Sequence, residues 1–453
     1  MAAANGGVPD PAQQRIAAAI AAYVARPHPV ALCCGIQHYG WGDHRFIPEL
    51  LGAPAPAAAP QAELWIGAHP DLPAAVCLRP AKVPLDRLIA AAPEALLGTA
   101  TVQRFGNALP FLFKVLAAAT PLSIQVHPNR DQAARGFARE DRLGLALDDP
   151  KRCYRDRNHK PELLVALTDF HALRGFRPLE EIQAELARWP SLADLATRLD
   201  GTTDGLRRLY ADFMRLPQPA VDALLGPVVA QAHRRAPDPT EGRADPGTDP
   251  PTDPEQARCH WLLQAHRRFS PAGHYDRGLL SLLLLNLLHL RPGEAIFLPA
   301  GALHSYLAGT GLEVMANSNN VLRGGLTDKH IDVEALLEVL HLDPHAPEIL
   351  TPSIRADHAG WHSYEPPVAE LALHRLRLAP GATAPLQPGA AMLGLVLDGA
   401  VELRGSASRL RLKRGGSCLI PAGGALCISS GEGADVALAT TPAGVVSPGA
   451  VGA

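Results

Sequence analysis

Lysine is scarce in this chain of 453 residues. It occurs only at Lys82, Lys114, Lys151, Lys160, Lys329 and Lys413, while arginine supplies the rest of the 42 basic side chains. Aromatic residues make up only 5%. Positive charge is not in excess either. The formal net charge is −3, so nothing in the composition points to a nucleic-acid or anionic-membrane partner. No apolar run reaches the roughly 20 residues needed to span a bilayer. The densest, 279–290, reads as a buried helix. The seven cysteines are odd in number and contain no CxxC, so neither a disulfide scaffold nor a thiolate zinc site is indicated, and a reducing cytosol is expected. No basic n-region precedes the alanine-rich run 16–25, which therefore reads as a short helix and not as a signal peptide.

What is present is a hydrophobic share of 47% on a chain long enough for two or three domains with large cores. Residues 1–29 read as one amphipathic helix. From residue 30 the texture changes to short strands with glycine and proline between them, at 30–36, 63–67, 111–116, 122–127 and 161–176. At Pro178 the period lengthens: Leu179, Ile182 and Leu186 follow at helical spacing, as do Leu206, Leu209, Tyr210 and Phe213. The segment 179–290 is therefore a helical insertion, interrupted at 236–254 by a flexible loop rich in Pro, Asp and Thr. Strands return at 294–298, 305–307 and 312–316, a helix is expected at 331–340, and the tail from about 361 is again β.

An internal repeat organises these strands. Gly293-x5-Pro299-x-Gly301-x2-His304 has a partner in Gly415-x5-Pro421-x-Gly423-x2-Leu426. The spacing resembles the second half of the cupin signature, in which the closing histidine points at a metal inside a jelly-roll barrel. The resemblance implies a mainly β fold with α: two cupin barrels plus the helical insertion. The catalytic barrel is assigned to 30–178 and 291–350, and a metal-free barrel, with Leu426 in place of the histidine, to 351–453.

The stretch Thr120–Pro128 alternates apolar and polar residues, so Leu122, Ile124 and Val126 share one face of a strand and Ser123, Gln125 and His127 the other. Gln125 and His127 can grip one cation. His304 is a third candidate ligand. Glu162 is a fourth, because Pro161 favours extended geometry at Lys160 and points Lys160 and Glu162 the same way. One amide, one carboxylate and two imidazoles suit Zn²⁺, with other divalent metals able to take its place. Taken singly, each residue also fits an ordinary buried or solvated role.

Together, Lys114-Val-Leu, Pro121-Leu-Ser-Ile-Gln-Val-His-Pro128, Asn158-His-Lys-Pro-Glu162, Pro299-Ala-Gly-Ala-Leu-His-Ser-Tyr306 and Glu313 through Arg323 resemble the type I mannose-6-phosphate isomerases, as do Tyr39-Gly-Trp-Gly42 and Ala62 through Pro70. The ordered match covers roughly 30–340. The resemblance implies zinc on Gln125, His127, Glu162 and His304, with Arg323 catalytic. It implies an aldose–ketose isomerisation of a sugar phosphate through a cis-enediol. Lys160, Glu313 and His159 compete as the proton-moving group. Lys114, Ser123, Lys329 and Trp41 are expected on the substrate. Three departures stand out: Asn319 where the family usually has Asp, Asp43 where it often has Lys, and Arg130 for Lys. Another metal-bearing cupin enzyme, such as an oxygenase, and a non-catalytic sugar-phosphate-binding cupin are the alternatives. No heptad repeat is visible, so a monomer is expected, and the cysteine pattern makes the cytoplasm its expected compartment.

Overall fold

Strand-forming runs bounded by glycine dominate both halves of the sequence, and in the computed structural model they assemble into two β-sheets. The structure describes residues 11–78, 81–235, 250–270, 273–355 and 358–446. One sheet has 10 strands among the described residues, with His304–Ala316 as its hub. That strand pairs antiparallel with Phe111–Ala118, Ile124–Val126, Glu162–Ala166 and Phe170–Phe176, so segments distant in sequence meet along one backbone.

The second sheet has 13 strands among the described residues and contains the C-terminal strands from Ser353–Arg355 to Val445–Val446. It also takes in Val30–Cys33, Ala75–Leu78 and Ala81–Pro84. This corrects the assignment of all of 30–178 to the first barrel. Val30 pairs with Leu419 and Leu32 with Val76, and all four side chains enter a core shared by both sheets. A short apolar strand carries no local mark of the sheet that it will join.

The helix Pro11–Val24 forms within the expected N-terminal stretch. Between Leu179–Ala187 and Gly278–Leu284 the described elements are helical. Most of the expected loop, 236–249, lies outside the described residues. Asp253 at its end caps the helix Pro254–Phe269 by accepting the Gln256 N–H. The run 279–290 is not one helix. It is helical in Gly278–Leu284 and then becomes the strand Leu285–Leu290, paired with Phe170–Phe176. A continuous apolar run has no period that separates buried helix from buried strand. The structure adds a further helix, Arg130–Arg142, opened by a capping box: the Asn129 side chain accepts the Gln132 N–H, and the Gln132 side chain accepts the Asn129 N–H.

The repeat is structural. Gly293, Gly301, Gly415 and Gly423 have φ of 94°, 82°, 79° and 102°, the left-handed region that favours glycine. In each copy the last residue opens a strand, His304–Ala316 in one and Leu426–Ser429 in the other. His304 is buried beside other polar groups, whereas Leu426 packs into an apolar core with Ile428 and Leu403.

Candidate functional site

The alternation around Gln125 is realised over a shorter strand, Ile124–Val126, flanked by prolines that cannot donate to a ladder. Ile124 and Val126 pack into the core of the helical segment. On the other side, Ser123 and Gln125 line a cavity of about 700 Å³. Gln125 stands opposite His304 on one neighbouring strand and opposite Arg323 on the other.

His127, Glu162 and His304 are all buried and bring one ligand atom each within 4.8 Å of the others. His127 Nδ1 lies 2.8 Å from the Asn320 carbonyl, and His304 Nδ1 lies 2.9 Å from the Ala302 carbonyl. A carbonyl can only accept, so both rings carry their proton on Nδ1 and present bare Nε2 lone pairs. These lone pairs face Glu162, at 3.3 Å from His127 and 3.5 Å from His304. His127 Nε2 is fully enclosed and makes no hydrogen bond. Acceptors aimed at one another in a buried site are satisfied by a shared cation, and the N and O donor set fits zinc. The electrostatics agree. Burial pushes the His127 imidazolium down to about 4, with Lys160 adding to the effect. Burial alone would raise the Glu162 carboxyl, but Lys160 and His127 hold it well below the usual range. Both groups are therefore in ligand form at neutral pH.

Asn320 ties the centre together. Its side chain accepts the backbone N–H groups of Arg155 and Asp156 and donates to the carbonyls of Asp156 and Asn158, while its own carbonyl holds His127. The loop that leads to Glu162 is thus fixed to the one that leads to Arg323.

Arg323, Lys329, Arg155 and Arg268 line the cavity, so it carries a cationic side. Burial lowers the Lys329 ammonium, and repulsion from Arg323 and Arg155 lowers it further. Arg155 was not legible from spacing. The helical segment places this side in two ways. Arg268 and Phe269 form part of the wall. Asp276 reaches across to accept the N–H of Leu326 at 2.7 Å and of Thr327 at 3.3 Å, anchoring the chain between Arg323 and Lys329. That approach requires glycine, because a Cβ on Gly325 would sit 2.4 Å from Gly278 Cα.

A second buried polar group lies beside the metal ligands. Lys114 Nζ is 2.9 Å from Glu313 Oε2 and 3.5 Å from Glu63 Oε1. Tyr306 donates to Glu313 Oε1 at 3.0 Å, and Trp65 Nε1 donates to Glu63 Oε2 at 2.7 Å. Burial raises the Glu313 carboxyl against the opposing charge of Lys114. Trp41, stacked on Tyr39 with ring centroids 5.6 Å apart, is also in the wall. His69 is there too, with Nδ1 accepting the Asp71 N–H at 3.2 Å, and nothing in the sequence had singled it out as a site residue.

His159 is not brought to the cavity. Its Nε2 lies 2.9 Å from Glu370, which Arg130 also holds, so His159 and Arg130 tie the site's loop to the C-terminal segment. Burial alone would raise the Glu370 carboxyl, but these two partners bring it down to about 2. A carboxyl held below its ordinary 4.5 stabilises the fold above that pH, and the contribution fades as pH falls through about 2. Glu370→Gln should therefore lower stability by about 1 kcal/mol at pH 7, a discounted value because Arg130 is exposed. The difference from the parent should shrink between pH 4.5 and about 2, as read by urea midpoints.

Asp43 does not face the cavity, because it accepts the N–H groups of Arg45 and Phe46. The Asn319 amide donates to Asp71 Oδ2 at 2.9 Å, where an Asp would meet like charge.

A family model described as phosphomannose isomerase type I, catalytic domain, matches residues 30–179. The mannose-6-phosphate isomerase of Escherichia coli (strain K12) is 37% identical over 393 residues, covering 85% of this chain and 93% of that one. The Homo sapiens mannose-6-phosphate isomerase is 34% identical over 374 residues, covering 77% and 82%. A crystal structure of zinc-bound mannose 6-phosphate isomerase aligns with a TM-score of 0.78 at 33% identity, over 91% of this chain and 99% of that chain.

Proposed function

Because the chain belongs to the type I mannose-6-phosphate isomerase family, we propose that it interconverts mannose 6-phosphate and fructose 6-phosphate, moving a proton between C2 and C1 of the open-chain sugar through a cis-enediol. The observation that carries this reading is the meeting of His127, Glu162 and His304 at one point, in register with Gln125 and beside a cationic cavity wall.

Gln125, His127, Glu162 and His304 would hold zinc, which when bound supplies a Lewis acid beside the sugar's carbonyl oxygen. The other roles belong to side chains of this protein. Arg323 lies across the strand pair from Gln125 and places fixed positive charge where the enediolate develops. Lys329 and Arg155 take the phosphate, and Ser123 adds a hydroxyl donor. Trp41 closes the wall and excludes water. Of the three candidates for the proton-moving group, Lys160 is the best placed. Its Nζ is 3.1 Å from Glu162 and it lines the cavity, whereas both oxygens of Glu313 are engaged and His159 is turned away. We assign proton transfer to Lys160 Nζ. A cytosolic protein without a nucleic-acid partner agrees with the charge of −3 and the lack of CxxC, and a monomer agrees with the lack of a heptad repeat. Among the described residues no helix is long and apolar enough to cross a membrane.

The test is a coupled assay for fructose 6-phosphate formation. Turnover is expected with zinc, abolished by a chelator and restored by zinc. Lys160→Met should lower kcat by about 10²-fold with KM little changed. Tight sugar-phosphate binding without turnover would instead favour the non-catalytic reading.

A further inference from the structure

Cys33 ends the strand Val30–Cys33, and Cys77 lies in its antiparallel neighbour Ala75–Leu78. The register sets Cys33 opposite Ala75, so Cys77 is the next residue on the same face and sits diagonally across from Cys33. Both side chains are exposed, and their Sγ atoms are 2.7 Å apart, close to the roughly 2.05 Å of a disulfide bond. The other cysteines differ. Cys34 lies against Ser417 Oγ at 3.1 Å, Cys427 is half-buried against the Ile428 carbonyl, and Cys153, Cys259 and Cys418 are buried.

We propose that Cys33 and Cys77 form a reversible dithiol–disulfide pair that staples the segment forming one wall of the cavity. The two residues are 44 apart in sequence, and between them lie Trp41, Glu63, Trp65, His69 and Asp71, all in that wall. The ends of this segment already meet on the sheet, so the bond closes a long loop in the unfolded chain and asks little of the folded one.

The oxidant is a low-molecular-weight disulfide such as oxidised glutathione. One cysteine thiolate attacks a glutathione sulfur, expels glutathione thiolate and leaves a mixed disulfide. The second cysteine attacks the protein sulfur of that mixed disulfide and expels the other glutathione. The protein loses two electrons and two protons, and one glutathione disulfide becomes two thiols. Partial desolvation and contact with Cys33 hold the Cys77 thiol above its ordinary range, although Lys82 stands across the strand pair and opposes this. Reaction is therefore slow, the pace of a redox-poised staple and not of a fast peroxide sensor.

The zinc-loaded full chain is incubated with oxidised glutathione, alkylated, and digested without reduction. The expected result is one peptide pair linked through Cys33 and Cys77, with free thiols falling from seven to five as two enter the bond. The thermal midpoint should rise by about 5 °C and return on reduction. Turnover should stay within about twofold, because no group at the metal or the sugar is altered. C33S and C77S should each keep basal turnover and lose the shift. Cross-links elsewhere, glutathione adducts alone, or a linked protein with an unchanged midpoint would each overturn the proposal.

Discussion

Glu162→Gln should strip the protein of its metal and lower turnover by about 10³-fold or more, roughly 4 kcal/mol of transition-state stabilisation. Of the four residues proposed to hold the metal, Glu162 is the one that carries a charge, and it faces two imidazole lone pairs. An amide at this position keeps the volume and removes the charge. It also leaves Lys160, 3.1 Å from Glu162 Oε1, without its anionic partner. Elemental analysis should find about one zinc per chain in the parent and under about a tenth in the variant, with unchanged circular dichroism. The same centre makes a pH forecast. A histidine with an ordinary value would begin to shed metal near pH 6.5, but burial holds His127 at about 4, so its lone pair stays available above that pH. Protonation of His127 should therefore compete with zinc only as pH falls toward about 4, which zinc retention measured on a pH series checks. Retention of zinc by Glu162→Gln, with turnover intact, would show that the ligands lie elsewhere.

The candidate metal centre was legible because its four expected ligands sit in patterns with a local physical meaning. Period-two alternation puts Gln125 and His127 on one face, Pro161 extends the chain before Glu162, and Gly301 sets the turn before His304. The site's supports were not legible, since each depends on a partner far away in sequence. Asp276 anchors the loop after Arg323 from a helix start some fifty positions earlier. Asn320 reads as one more polar residue until its four backbone partners are seen. His159 sits beside Lys160 in sequence, yet Glu370, 211 residues on, turns it away. In the fold, helix and strand were readable wherever a period existed. The failures came where it did not, in the apolar run 279–290, in the polar helix Arg130–Arg142 and in the choice of sheet for Val30–Cys33.

Lys114→Met should cost about 3–5 kcal/mol of stability, the usual penalty for removing one partner of a buried ion pair. The ammonium is only 7% exposed and serves two carboxylates, Glu313 at 3% and Glu63 at 9%. Burial opposes its charge, but Glu313 and Glu63 more than compensate and raise it above the ordinary lysine value. Methionine fills the space and leaves two buried carboxylates facing one another. Removing the ammonium takes away the charge that opposes burial at Glu313, so that carboxyl should move further up. An acid whose folded value is raised favours the fold in its protonated form. The loss should therefore be greatest at neutral and alkaline pH and shrink as pH falls through the raised value. Urea midpoints at two pH values measure this directly. Lys114→Met combined with Glu313→Gln should recover most of the stability, because the second change removes one orphaned charge. The same double variant separates two roles. If Lys114 acts on catalysis by holding Glu313, its removal should change kcat little once residue 313 is Gln. If it also touches the phosphate with its remaining N–H, KM should rise about tenfold in either background, the cost of one charge-assisted hydrogen bond.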